Sequence, residues 1–274
     1  MMIGARTAAW AKSGPTAKDY AQDGLIAMFD GIENTTSGAN TRDPTQMGLV
    51  VGGGEVRFVN RSGYSTPMSD LVVCEDDGVL FKKQQGNTYS LYFNSPGILD
   101  ALKARQCTLE MCVQPCADGP ISSYSSQEWG FCVGVGGNNN TDGFRRWMQD
   151  AKSLCCSFNA KLFEIPSEDR TIGTFNSTKL TRQTHTAVAS RTSEFFQGCI
   201  VENGGSVSYS TAYYFWAGSL ASGDDLYIRN TSSSVRSHDF RVFNVRFYDR
   251  QLTAAEISAN YAIDKERFNL PDAA

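Results

Sequence analysis

The sequence predicts an all-β domain, an antiparallel sandwich or barrel with a short helix at its C-terminal end. Three observations lead there. Short apolar or alternating runs recur along the chain, separated by turn-forming residues and not by helical periodicity. Glycine is abundant, at 25 residues, and aromatics reach 11%, mostly Phe and Tyr, which suits strands joined by tight turns. One helix start alone is strongly marked, at Thr253. With 274 residues, 41% of them hydrophobic, the chain can bury one large core and is too apolar for wholesale disorder.

Residues 1–22 are small, polar and mildly basic (Arg6, Lys12, Lys18) and read as an N-terminal arm or linker; residues 23–274 form the domain. Leu25 to Phe29 is an apolar run ended by the Asp30-Gly31 turn signal, hence a first strand. Residues 33–47 are turn-rich. Residues 55–60 alternate, with Val56, Phe58 and Asn60 on one face. Strand patterns follow at 78–81, 89–93 and 107–115, where Cys107, Leu109, Met111 and Val113 share a face. A short helix fits 97–103, with Ile98, Leu99 and Leu102. Further strands fit 130–135, 154–158, 160–165, 184–190, 194–202, 213–216, 225–229 and 240–248. On the last, Phe243, Val245 and Phe247 are expected to face one way and Asn244, Arg246 and Tyr248 the other. Then Thr253 and Glu256 make a T-x-x-E capping box, with Leu252 and Ile257 at the hydrophobic-staple positions.

The charge balance, net −4, argues against a nucleic-acid partner, and no apolar stretch nears the roughly 18 residues of a membrane span. The first twenty residues lack the apolar core of a secretory signal. The eight cysteines include no C-x-x-C pair, and several fall in apolar runs, so buried reduced thiols are expected over zinc ligands or a disulfide framework.

The segment that starts at Phe240 and contains Arg246, Tyr248, Arg250, Leu252, Thr253, Glu256 and Ile257 follows an R-x-Y-x-R-x-L-(S/T)-x-x-E-I pattern. It resembles the closing strand and helix of laminin-G-like domains of the concanavalin A-like lectin/glucanase superfamily. Residues 24–31 resemble that family's opening strand, 107–115 its F-T-x-E-x-W-V-x-P strand, and 184–199 with 213–229 its late central strands. The likeness spans about 23–270 and departs over 33–65, where a tryptophan is missing. It implies a jelly-roll β-sandwich of two curved antiparallel sheets and, in some members, calcium held by loop carboxylates. Asp224 and Asp225 read as a strand cap or as such carboxylates; no other cofactor is expected.

Superfamily hydrolases place acids on one strand as E-x-D-x-x-E, and retaining enzymes need two carboxylates about 5–5.5 Å apart. The nearest match here, Glu164 to Asp169, puts Pro166 at the middle acid and reads as a polar turn. Glu75-Asp76-Asp77-Gly78 reads as a hairpin turn, and the only two histidines, His185 and His238, as structural. The expectation is a non-catalytic carbohydrate-binding or lectin-like module whose partner is a polysaccharide or glycoconjugate. Sugar binding needs an aromatic platform with polar groups beside it. The best cluster is Trp129, Asn138, Asn139, Asn140, Asp142, Arg145, Arg146 and Trp147, with Tyr213 to Trp216 as a second aromatic run. The alternative is a structural or decorating protein of a phage virion or other surface assembly, docked through residues 1–22, and the remaining reading is a glucanase-type hydrolase. Location is then on the particle, or else cytoplasmic.

Overall fold

The structure, a computed structural model, describes residues 14–60, 65–83, 88–104, 106–116, 131–136, 144–150, 153–158, 161–163, 182–192, 195–202, 213–214, 223–230 and 239–270. Its strands are β1 (Leu25–Asp30), β2 (Val56–Asn60), β3 (Val72–Cys74), β4 (Val79–Phe81), β5 (Tyr89–Asn94), β6 (Cys107–Cys116), β7 (Phe131–Val135) and β8 (Phe144–Asp150). They continue as β9 (Ser153–Phe158), β10 (Lys161–Phe163), β11 (Gln183–Thr192), β12 (Phe195–Glu202), β13 (Tyr213–Tyr214), β14 (Asp225–Asn230) and β15 (Asp239–Tyr248). The helices are α1 (Met68–Leu71), α2 (Ile98–Ala104) and α3 (Ala254–Phe268). Among the described residues no helix is long and apolar enough to cross a membrane.

The expected antiparallel β-sandwich with a short C-terminal helix is what forms. An eight-stranded sheet runs β13-β12-β11-β6-β15-β4-β3, with β1 also paired to β15; a seven-stranded sheet runs β10-β9-β8-β7-β14-β5-β2. Period-two alternation sends one set of side chains from each strand between the sheets. Leu109, Met111 and Val113 of β6 meet Leu91 and Phe93 of β5, Val133 of β7 and Ile228 of β14 in one continuous core. Cys107 belongs to that core and Cys74 lies at its edge, both as free thiols, and burial lifts the Cys74 thiol to about 11.

The closing strand departs from strict alternation. Its register with β6 shifts between Val242 and Asn244, a bulge. Val242, Val245 and Phe247 face the inter-sheet core, whereas Phe243 turns outward and packs with Cys112, Phe268 and Leu270. The bulge inserts one residue, so Phe243 joins Asn244, Arg246 and Tyr248 on the side that receives α3.

Helix α3 starts as its sequence specifies. Thr253 Oγ1 accepts from the Glu256 amide at 3.3 Å, the Thr253 amide donates to Glu256 Oε2 at 2.8 Å, and Leu252 and Ile257 are buried together. Arg250 grips the same carboxylate with both terminal nitrogens, at 2.6 and 3.1 Å. The helix buries Ile257, Asn260, Asp264 and Phe268 and ends at Asn269 in the left-handed conformation (φ 51°). Two of those four inward residues are polar because the sheet beneath is polar too. Arg246 of β15, wholly buried, donates from Nε to Glu110 Oε2 at 3.0 Å and clasps Asp264 with two bonds of 2.6 and 2.8 Å. Glu110 also accepts from Thr186 at 2.8 Å and Asn260 at 2.7 Å. Burial pushes its carboxyl above the ordinary range and Arg246 draws it back. Its hydrogen bonds from Thr186 and Asn260 act in the same direction as Arg246, against the burial. Alongside, Arg267 clasps buried Asp30 at 2.7 and 3.0 Å, and Asn244 donates to Asp30 at 2.8 Å.

The end of the segment read as a polar arm is part of this structure. Residues 1–13 lie outside the described residues, but Ala17 and Tyr20 are buried. Tyr20 donates to Asp264 at 2.7 Å, and its ring lies 4.0 Å from the Arg246 guanidinium. A single tyrosine in a polar stretch carries no periodicity, so sequence pattern does not reveal it.

Removing one partner strands the others in a dry site. Arg246→Met is therefore expected to lower unfolding free energy by about 3–5 kcal/mol, and Tyr20→Phe by about 1.5–3 kcal/mol, in chemical denaturation. An unchanged Tyr20→Phe midpoint would mean that the 14–22 segment is not docked. Glu256, held down chiefly by Arg250, should titrate near a pH of about 2. Its contribution is complete above the ordinary glutamate range and is lost as pH falls through that value. A carboxyl-detected NMR titration that places it at the ordinary glutamate value, or that does not move upward in Arg250→Gln, would contradict this.

Candidate functional site

Helix α3 lies over the eight-stranded sheet; the seven-stranded sheet has its own outward side. Its strands put Phe58, Leu91 and Ile228 inward, so the alternate residues form the outward rows. The pairings align Arg57 with Tyr92, Tyr92 with Tyr227, and Tyr227 with Gly134. The neighbouring row aligns Val59 with Ser90, Ser90 with Arg229, and Arg229 with Cys132. Four strands distant in sequence thus bring two tyrosines and two arginines together.

The rings of Tyr92 and Tyr227 lie 6.1 Å apart at an interplanar angle of 46°. The Arg57 guanidinium sits 4.6 Å over Tyr92, and Arg229 sits 5.8 Å from the Tyr227 centroid and donates from Nε to Ser90 Oγ at 3.2 Å. Tyr92, Tyr227, Cys132 and Arg229 are buried, while Arg57 and Asn94 are exposed at the β2/β5 margin. Arg57 Nη2 donates to Asp225 Oδ2 at 3.2 Å. Partial burial raises the Asp225 carboxyl above its ordinary value, against the pull of Arg57. A guanidinium stacked on a phenol ring, beside a carboxylate and an exposed amide, can engage hydroxyl and anionic groups of a ligand.

Of the residues picked from sequence, Trp129, Asn138, Asn139, Asn140 and Asp142 lie outside the described residues. Arg145, Arg146 and Trp147 fall in β8. Arg145 pairs with Gly134 and so extends the Arg57–Tyr92–Tyr227 row; Trp147 pairs with Cys132 and extends the other. Arg146 takes the intervening position, opposite Val133. Tyr92 was missed because 89–93 carries large apolar residues at both alternating sets of positions, and Arg57, Tyr227 and Arg229 because they lie on strands that meet β5 only through the sheet pairing. Of the second aromatic run, Tyr213 and Tyr214 form the edge strand β13, and the rest is outside the described residues.

The acidic candidates resolve differently. Asp224 Oδ1 accepts from the Leu99 amide at 2.7 Å at the start of α2, while Asp225 faces Arg57. The 75–78 turn joins β3 to β4, and each of its acids meets an arginine: Glu75 with Arg241, Asp76 with Arg42, Asp77 with Arg182. Glu110 and Asp264, the two carboxylates on Arg246, are sealed under α3. Glu164 to Asp169 and His238 lie outside the described residues, and His185 is buried on β11. Among the described residues no three His, Cys, Asp or Glu side chains converge as metal ligands.

No protein-family model and no curated protein matches the chain. Solved structures share its fold. The botulinum neurotoxin serotype D binding domain aligns with a TM-score of 0.52 at 8% identity, over 88% of this chain and 52% of that one. The botulinum neurotoxin type G receptor binding domain gives 0.52 at 10%, over 88% and 52%. The binding domain of botulinum neurotoxin DC in complex with SialylT gives 0.51 at 9%, over 88% and 51%. The chain spans about half the length of these structures, and the likeness is one of fold.

Proposed function

We propose that this chain is a non-catalytic, carbohydrate-binding module of the laminin-G-like, concanavalin A-like type, and that it binds glycan on the outward face of the seven-stranded sheet. The carrying observation is the Arg57–Tyr92–Tyr227 row with Arg229 beside it, continued in register by Arg145 and Trp147. The accessible part of that row is the Arg57 guanidinium, backed by buried Tyr92, and a guanidinium can take the oxygens of a sugar. The pattern of the closing strand and helix supports the family reading, and the shared fold with receptor-binding domains, one in complex with SialylT, is in keeping with it.

Hydrolysis has less support. The buried acids Glu110 and Asp264 have no solvent exposure and both are bonded to Arg246, so neither is within reach of a substrate. Display on a particle such as a phage virion belongs to the same proposal. Residues 14–22 pack against α3, so a partner held by residues 1–22 would sit on the helix side, away from exposed Arg57 and Asn94.

A glycan array probed with the full chain tests the reading. Binding to at least one polysaccharide or glycoconjugate is expected. Trp147→Ala should weaken it about tenfold, equivalent to about 1.4 kcal/mol, with an unchanged circular-dichroism spectrum. An array without any signal, or wild-type affinity in a folded Trp147→Ala protein, would overturn the proposed face.

A further inference from the structure

Arg57 differs from the other arginines whose partners are described. Arg246, Arg267, Arg241, Arg250, Arg182 and Arg42 are each engaged by two or more groups, mostly carboxylates and main-chain carbonyls. Arg57 makes one hydrogen bond among the described residues, a single 3.2 Å contact from Nη2 to Asp225. A guanidinium carries five N–H donors, so most of its donor edge remains unused. That edge is also presented outward, since 58% of the side chain is exposed.

The buried Tyr92 ring lies 4.6 Å beneath the group and backs it. The planar fork of a guanidinium matches the two oxygens of a carboxylate or a sulfate. Asn94, exposed and opposite Asp225 in the β14–β5 register, gives its Nδ2 to the Asp224 carbonyl and leaves its Oδ1 for a hydroxyl. Among the described residues of β2, β5, β14 and β7, the outward positions hold exposed Arg57 and buried Arg229, with Arg145 of β8 at a matching register position, and Asp225 is the carboxylate that meets Arg57.

We propose that Arg57 is the charge-recognising residue of the glycan-binding face, and that the ligand is an acidic glycan whose carboxylate or sulfate groups pair with its free donor edge. The inference rests on the glycan-binding reading of the preceding subsection. Asp225 then acts as an internal competitor that holds the guanidinium until ligand replaces it.

The test uses the full chain with three probes: alginate for carboxylate, dextran sulfate for sulfate, and unmodified dextran as the neutral arm. Binding is followed by affinity electrophoresis. Alginate or dextran sulfate is expected to bind and dextran to bind more weakly; the stronger of the two anionic arms identifies the group recognised. Arg57→Gln should weaken the anionic arm about tenfold or more, and Asp225→Asn should strengthen it several-fold. Arg42→Gln and Asp76→Asn, which make the same charge changes in the loop and the β3–β4 turn, should leave it unchanged. Equal binding of dextran and the anionic probes, or an Arg57→Gln effect no larger than that of Arg42→Gln, would overturn the inference while leaving glycan binding intact. Failure to bind these probes or any glycan on the array would overturn the glycan-binding reading itself.

Discussion

The guanidinium of Arg246 is the point on which the assembly of this domain depends. It belongs to the closing strand, yet its bonds reach Glu110 on β6 and Asp264 on α3, and Tyr20 from the N-terminal segment lies against its face. A buried charge that misses its partners costs several kcal/mol. Only one rotation and one height of α3 bring Asp264 to Arg246 and Asn260 to Glu110 together. The bulge between Val242 and Asn244 serves the same end, because it turns Phe243 outward to meet Phe268 at the far end of the helix. The helix is therefore fixed over the eight-stranded sheet by polar geometry as well as by Leu252, Ile257 and Phe268.

That constraint divides the surface of the sandwich. One outward face is occupied by α3 and residues 14–22; on the other, Arg57 and Asn94 are exposed at the β2/β5 margin beside buried Tyr92 and Tyr227. Most described arginines pair internally: the three acids of the 75–78 turn meet Arg241, Arg42 and Arg182, and Glu256 is held by Arg250. On the seven-stranded sheet Arg57 also lies over a tyrosine ring, but the acid beside it makes a single contact with it.

Much of the fold was legible in the sequence because it is written in local patterns. The inward face of β6 follows from the period of Cys107, Leu109, Met111 and Val113, and the start of α3 from Thr253 and Glu256 three residues apart. The bulge was not legible, since Phe243 is as apolar as the residues that do face the core. Nor was the docking of Tyr20, whose partner Asp264 is 244 positions away. The site divides in the same way. Arg145 and Trp147 stood out beside an asparagine-rich stretch, whereas Arg57 and Asp225, 168 residues apart, meet only through the pairing of β2 to β5 and β5 to β14. Strand order in a sheet is a long-range property, and a row of side chains across it has no signature along the chain.

The central claim is that ligand binds across the seven-stranded sheet, on the side away from α3. Amide hydrogen exchange of the full chain, with and without alginate or dextran sulfate, tests it most directly. The account predicts added protection in residues 56–60, 89–94 and 225–230 and none in 254–268. Protection confined to α3 or to residues 14–22 would contradict it.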